Sequence, residues 1–366
     1  MEIAAKITIS FKGIMTVNLK NISKRLSAPQ TSFLPKSLRR LARIDLANLP
    51  TPLEEAVRFS KAINGPNIFV KRDDLTGLAS GGNKTRKLEF LIADALEQNA
   101  DCIVTAGAPQ SNHCRQTAAA AAHCGLECHL VIGGEPPSVP EGNYFLDQLL
   151  GAHFYWTTRS LRNKKMEEVV SALRSEGKRP YLIPIGGSNA LGVMGYVAAM
   201  FEIVEQMQAA SIQIDHIVFA TSSGGTQAGL ILGAHLSGYK GKLIGISIDQ
   251  EPDEKSDYKF KTSLLENLNL AAKMLDVSRE FKLEDIVIDY NYLGGGYGVV
   301  GDLERNAIRL LAKTEGILIG PVYTGRVLGA LIDLVNKGSF KKSENVLFMH
   351  SGDDIVLHAH VQDFAE

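Results

Sequence analysis

The sequence predicts an α/β protein built on mostly parallel sheets with helices on both faces. Three observations carry this prediction. From about Asp45 onward, short apolar runs alternate with segments of helical periodicity, the pattern of parallel strands joined by crossover helices. The chain has 366 residues, which at roughly 150 residues per domain suggests two domains or one large one. Its composition, 45% hydrophobic and 22% charged, excludes a fully disordered chain and leaves ample material for a core.

The strand candidates, in order, are Asn67–Lys71, Cys102–Ala106, Cys128–Ile132, Tyr181–Pro184, His216–Ala220, Lys242–Ile248, Ile317–Ile319 and Asn345–Met349. Between and around them the helix candidates are Arg86–Gln98, Asn112–Cys124, Asn143–Leu150, Lys164–Glu176, Leu191–Met207, Thr226–Leu236, Val299–Glu315 and Thr324–Asn336. Thr117–Ala122 is a threonine followed by five alanines and reads as buried helix. The charged stretch Asp249–Lys261 reads as a solvated loop or a helix start. No internal repeat or low-complexity tract is present.

Residues 1–43 stand apart, with nine Lys/Arg and one acid, Glu2. They read as a disordered basic tail or a translated upstream extension, since Met15 is a second candidate start; an organelle transit peptide is the alternative. Over the whole chain 39 basic and 40 acidic residues nearly cancel, so no general attraction to nucleic acid or to an anionic membrane is expected. No apolar run reaches the roughly 18 residues of a membrane span. Cys102, Cys114, Cys124 and Cys128 interleave with His113, His123 and His129, but no CxxC or HxxxH pair occurs. A structural, apolar role is expected for the cysteines, without metal, in a reducing cytoplasmic compartment.

Ligands in such folds bind where strands lead into helices, so the chemistry is sought in those turns. The first is Ser80-Gly81-Gly82-Asn83-Lys84-Thr85-Arg86-Lys87. Its glycines allow close backbone approach. Lys84 stands at a helix N-terminus, where the dipole disfavours another positive charge and favours the neutral amine that a Schiff-base lysine needs. A surface lysine in a turn fits the same residues. The second, Ala106 to His113, offers Gln110, Ser111 and Asn112 as helix caps or as a carboxylate site. The third, Ala220 to Gly229, places Ser222, Ser223, Gly224, Gly225 and Thr226 before a helix. It is suited to a phosphate, but it has no lysine of the GxxxxGK[ST] loop. The fourth region holds Tyr297 and Tyr323 among glycines and a proline, each a candidate acid, base or hydrogen-bond donor, or else a packed aromatic in a bend. An imine-forming lysine, a carboxylate turn, a phosphate loop and phenols together point to pyridoxal phosphate acting on an amino acid.

At these residues the sequence resembles the tryptophan-synthase-β-like, fold type II, pyridoxal-phosphate enzymes. Within them it resembles the subgroup of D-cysteine desulfhydrase and 1-aminocyclopropane-1-carboxylate (ACC) deaminase. The likeness runs from about Leu41 to Gly352. It includes Thr51-Pro52-Leu53, Lys71-Arg72-Asp73-Asp74, Gly82-Asn83-Lys84-Thr85-Arg86-Lys87-Leu88-Glu89, Gln110-Ser111-Asn112 and Pro321-Val322-Tyr323-Thr324-Gly325. The resemblance implies two three-layer α/β/α domains, a large one from 44–86 and 191–366 and a small one at 87–190, with the cofactor between them, usually in a homodimer. Lys84 would bind the cofactor aldehyde, with Asn83 and Asn112 near the ring. Ser222, Ser223, Gly224, Gly225 and Thr226 would hold its phosphate, and Thr324 would sit by the ring nitrogen. Gln110, Ser111 and Asn112 would meet the substrate carboxylate; Tyr297 and Tyr323 would face the substrate; Ser111 is a further candidate for moving a proton.

The threonine at 324 favours a desulfhydrase, since the ACC deaminases are expected to carry glutamate there. A hydroxyl bonded to a neutral ring nitrogen makes a weaker electron sink. The expected reaction is β-elimination of D-cysteine to pyruvate, hydrogen sulfide and ammonia. ACC deamination, L-cysteate or β-chloroalanine lysis, and a silent binder of cofactor or amino acid are the alternatives. Two positions depart from the family: Asp353 stands where glycine is usual, and Gly320 where aspartate is usual. A nicotinamide-dependent dehydrogenase is disfavoured, because the GxGxxG match Gly296–Gly301 lacks an acid ending the next strand.

Overall fold

A computed structural model describes residues 34–249 and 254–365. It is an α/β protein with two mostly parallel sheets, as the alternation of elements predicts. The strands are β1 (Leu53–Glu55), β2 (Asn67–Arg72), β3 (Cys102–Gly107), β4 (Glu127–Gly133), β5 (His153–Thr157), β6 (Pro180–Leu182), β7 (His216–Thr221), β8 (Lys242–Ser247), β9 (Ile288–Asp289) and β10 (Asn345–His350). The helices are α1 (Lys36–Arg39), α2 (Val57–Ala62), α3 (Lys84–Glu97), α4 (Asn112–Cys124), α5 (Gly142–Leu149), α6 (Arg162–Ser175), α7 (Ala190–Ala210), α8 (Gly225–Ser237), α9 (Glu254–Met274), α10 (Asp302–Glu315) and α11 (Arg326–Asn336).

The larger sheet runs β1-β2-β10-β7-β8-β9, parallel except for the β1–β2 pair. Side chains alternate across a strand, and the alternation splits its core into two layers. Ile68, Val70, Val218, Val346 and Phe348 pack toward α2, α10 and α11. Phe69, Ile217, Phe219, Leu347 and Met349 pack toward α7 and α8. The smaller sheet, β5-β4-β3-β6, is wholly parallel and lies within the segment expected to form the small domain. Ile103, Leu130 and Ile132 pack on α3 and α4, and Val104, Ala106 and Val131 on α6. Both sheets are thus sandwiched between helices.

Helix α4 has the bounds expected for it. Ser111 is its N-cap, accepting the Cys114 N–H at 3.2 Å, and Gly125 closes it in a left-handed conformation. Helix α7 is long and apolar because it is buried between α3, α8 and α9, and this alone gives it the composition of a membrane span.

Two expectations need correction and one is narrowed. Ile317–Ile319 is no strand: Ile317 and Ile319 are buried but Leu318 is exposed, and the Leu318 carbonyl accepts from the His350 ring at 2.8 Å. Of the two readings of Asp249–Lys261, the helix start is the one found: α9 begins at Glu254, and its buried face (Leu264, Leu268, Ala271, Ala272) begins where the charges thin out. In the basic segment 1–43, residues 1–33 lie outside the described residues, but 34–43 are packed. Leu34 and Leu38 enter a core cluster, and Arg43 pairs with the buried Glu89 at 2.6 Å.

Candidate active site

The turns singled out in the sequence converge on one cleft between the sheets. Helix α3 places the first. Its Leu88, Leu91 and Ile92 belong to the small-sheet core, while Phe90 packs with α7, so the helix lies between the two layers and its N-terminus opens into the cleft. Arg86 anchors that end. Fully buried, it bonds Asp73 at 2.8 and 3.0 Å and Glu202 at 2.9 and 3.0 Å. Lys71 reaches the same Glu202 at 2.5 Å, Thr51 hydroxyl donates to Asp73 at 2.9 Å, and Tyr196 hydroxyl donates to Asp73 at 2.6 Å. Thr51, Lys71, Asp73 and Arg86 are therefore parts of one buried ion cluster that fixes the helix start, while Arg72 and Asp74 pair with each other at 2.7 Å.

Lys84, the first residue of α3, points the other way, and its Nζ donates to Asn83 Oδ1 at 3.0 Å. Burial pushes its amine down to about 8, and the Asp353 carboxylate pulls it back up. Asn83 also donates to Thr226 Oγ1 at 3.3 Å, which ties the lysine turn to the serine–glycine loop. In that loop Ser222, Ser223, Gly224 and Thr226 line the cleft, and Gly224, at φ +81°, turns the chain into α8. Gly225 lies just behind them. A β-carbon on it would fall 2.8 Å from Lys87 Nζ and 2.6 Å from Ser188 Oγ.

On the far wall, Tyr297 and Tyr323 touch through their hydroxyls at 2.9 Å. Burial raises both phenols above their ordinary range, so at neutral pH each holds its proton and serves as a donor, not a base. Arg159 lies 5.3 Å above the Tyr297 ring and pairs with Asp249 at 3.0 Å. The glycine-rich stretch around Tyr297 is not a nucleotide loop. Its Gly296 and Val299 carbonyls are gripped by Arg326 at 3.0 and 2.9 Å, and Arg326 is itself held by Glu304 at 2.7 Å. Ser111 and Asn112 line the wall opposite.

Two further expected residues do not reach the cleft. Gln110 is spent on the next helix: its amide donates to the Glu141 carbonyl at 3.1 Å and accepts the Asn143 N–H at 2.9 Å. Thr324 is fully buried behind Tyr323. Its hydroxyl donates to Asp353, with the Gly320 carbonyl 3.1 Å away, and so has no proton left for a neutral ring nitrogen.

Three groups were missed. Lys87, one turn after Lys84, donates to the Gly186 carbonyl at 3.1 Å and to Ser188 Oγ at 3.2 Å; burial and Lys84 push its amine well down. The Gly186-Gly187-Ser188 turn closes on the serine loop, with Ser188 donating to Ser223 Oγ at 2.9 Å. His113 lines the cleft with Nε2 2.8 Å from Thr105 Oγ1; since that hydroxyl gives its proton to the Ile183 carbonyl, Nε2 carries the hydrogen. The spacing of Lys84 and Lys87 was the one available signal. Cys102, Cys114 and Cys128 are buried among apolar side chains.

These groups fit pyridoxal phosphate. A buried amine near neutrality suits an aldehyde. The α8 N-terminus suits a phosphate, and it has hydroxyls, glycine-lined space and a second lysine beside it. Comparison with known proteins gives the same answer. The family model described as pyridoxal-phosphate dependent enzyme matches residues 44–352. A crystal structure of an ACC deaminase homologue is 35% identical, covering 90% of this chain and 97% of its own, with a TM-score of 0.81. Two more distant structures share the fold. One is a pyridoxal 5'-phosphate-dependent aspartate racemase: 16% identity, TM-score 0.59, 83% of this chain and 90% of that one. The other is threonine deaminase isoform 2 from Solanum lycopersicum: 16% identity, TM-score 0.59, 87% and 84%.

Proposed function

Because the chain belongs to the pyridoxal-phosphate-dependent enzyme family, we propose that it is a lyase that deaminates a small amino acid, with D-cysteine the leading substrate. The observation that supports this most is a base and an acid facing one cleft: the Lys84 amine at about 8 and two phenols that keep their protons. Elimination across two adjacent carbons needs a proton taken from one and a proton given to the group leaving the other.

The cofactor, when bound, supplies the electron sink that acidifies the hydrogen on the substrate α-carbon. The protein supplies the rest. Lys84 would hold the cofactor by its aldehyde and, as a free amine, would accept the α-proton at Nζ. Ser222 to Thr226 and Lys87 would bind its phosphate. Ser111 and Asn112 orient the substrate carboxylate at the start of α4. Tyr297 or Tyr323 gives its hydroxyl proton to the departing sulfur. With D-cysteine and one water the products are pyruvate, hydrogen sulfide and ammonia.

A second reading, ring opening of ACC, is favoured by one observation. The Thr324 hydroxyl is committed to Asp353, so threonine here is no argument for an unprotonated, weak sink. The likeness to an ACC deaminase homologue supports the same alternative. Steady-state assays of keto-acid release across D-cysteine, L-cysteine, L-cysteate, β-chloroalanine and ACC separate the readings. Pyruvate from D-cysteine in preference to the rest is expected; 2-oxobutanoate from ACC as the dominant product would replace the first reading by the second.

A further inference from the structure

The small sheet carries a second group of polar side chains, at the edge opposite the cleft. Strand β4 ends at Gly133, which lines the cleft, and begins at Glu127, about 20 Å away along the extended chain. Glu127, His129 and Val131 share one face of β4, and Val131 lies in the layer that packs on α6. Across the parallel pair His129 stands beside His153, the first residue of β5, and Val131 beside Tyr155. The register therefore gathers a carboxylate, two imidazoles and a phenol on one face. His129 is buried, with Nε2 3.3 Å from Glu127 Oε2 and Nδ1 3.1 Å from the Tyr155 hydroxyl. His153 is exposed and stacks on His129 with ring centroids 4.8 Å apart. Among the described residues neither of its ring nitrogens has a hydrogen bond. One donor atom from each of Glu127, His129 and His153 lies within 4.8 Å of the others. Lys178, just ahead of β6, donates to the same Glu127 oxygen that His129 faces.

We propose that Glu127, His129 and His153 form a binding site for a divalent transition-metal ion of the zinc type. Two imidazoles favour zinc and its neighbours over magnesium or calcium, which take oxygen ligands. Three protein ligands leave the fourth corner of a tetrahedron for water. The surroundings suit the ligands. Burial and the neighbouring His153 lower the His129 ring below its ordinary range, and the Lys178 hydrogen bond lowers the Glu127 carboxyl. At neutral pH the one is therefore neutral and the other ionised, as metal ligands must be. With Nε2 on the ion, Nδ1 carries the hydrogen and donates it to Tyr155, an outer contact of the kind that orients a ligating histidine. Two adjustments complete the site. The exposed His153 ring turns out of its stack, because rings only 18° from parallel aim their lone pairs side by side. The ion also displaces Lys178 from Glu127. The bound ion would tie the edge strand β5 to β4, and its presence does not depend on the chemistry of the cleft.

Equilibrium dialysis of the cofactor-loaded protein against zinc chloride at micromolar concentrations, with bound zinc read by atomic absorption, tests this. Wild type is expected to hold one zinc per chain. His153→Ala removes a ligand at an exposed position and is expected to weaken zinc binding by about tenfold or more, with turnover and the cofactor's visible band unchanged. Tyr155→Phe, which removes only the outer contact, is expected to weaken it by about tenfold. Lys178→Met is expected to act in the opposite direction and tighten binding, because the competing ammonium is gone. Wild-type protein that holds no zinc would overturn the proposal. So would His153→Ala and Glu127→Gln variants that hold it as tightly as wild type, or weaker binding in Lys178→Met.

Discussion

Arg86 and Lys84 lie two residues apart at the head of α3, and the protein treats their charges in opposite ways. Arg86 faces the large sheet, where Asp73 and Glu202 surround it. Burial alone would push the Glu202 carboxyl up, but Arg86 and Lys71 hold it at about 2. Lys84 faces the cleft, Lys87 is buried one turn later against Gly186 and Ser188, and among the described residues neither makes an ion pair. Burial therefore wins and their amines titrate low. The same burial yields a structural cation where carboxylates are supplied and a reactive amine where they are withheld.

The widest contrast comes from removing each cation in turn. Lys84→Ala is expected to abolish turnover and the visible band of the bound cofactor while leaving denaturant stability within about 1 kcal/mol of wild type, because no ion pair is broken. Arg86→Met strands two buried carboxylates and is expected to cost about 3–5 kcal/mol in the same unfolding experiment. Equal losses of stability would erase the distinction. A smaller effect sharpens it. Lys87→Met should raise the cofactor dissociation constant about tenfold by equilibrium dialysis, since a charged hydrogen bond contributes roughly 1.5–3 kcal/mol, with turnover at saturation nearly unchanged.

The mildest test is pH. In cofactor-stripped protein the capture rate should rise about tenfold per pH unit below about 8, where the neutral amine is scarce, and level off above it. The same amine in an unfolded chain stays protonated up to about 10.5. Between these values the unfolded state binds more protons, so this residue makes stability rise with pH there, and Lys84→Met should flatten that rise.

Much of this was legible in the chain. The alternation of elements pointed to the fold class, and the helix at Asn112–Cys124 was marked by a capping serine and a run of alanines. Lys84, Asn83, Ser111, Asn112, Tyr297, Tyr323 and most of Ser222–Thr226 line a common cleft because strand-to-helix turns gather at one edge of parallel sheets. What stayed hidden depends on distant partners. Strand β5 (His153–Thr157) is a half-buried edge whose aromatic run has no clean alternation. Gln110 sits in the right turn but turns away from the cleft, because its amide is claimed by the start of α5, more than thirty positions downstream. Nothing near Gly320 announces that its missing side chain makes room for Asp353, because the two meet only through the third dimension.

The phenol pair sets a limit on how the far wall works. Two hydroxyls 2.9 Å apart share one hydrogen bond, so one proton is used between them and the other stays free to turn toward a guest. The wall thus delivers hydrogens singly, and rotating both groups swaps which ring is the giver. Each ring is the other's understudy, so their contributions are coupled and cannot be summed from single replacements.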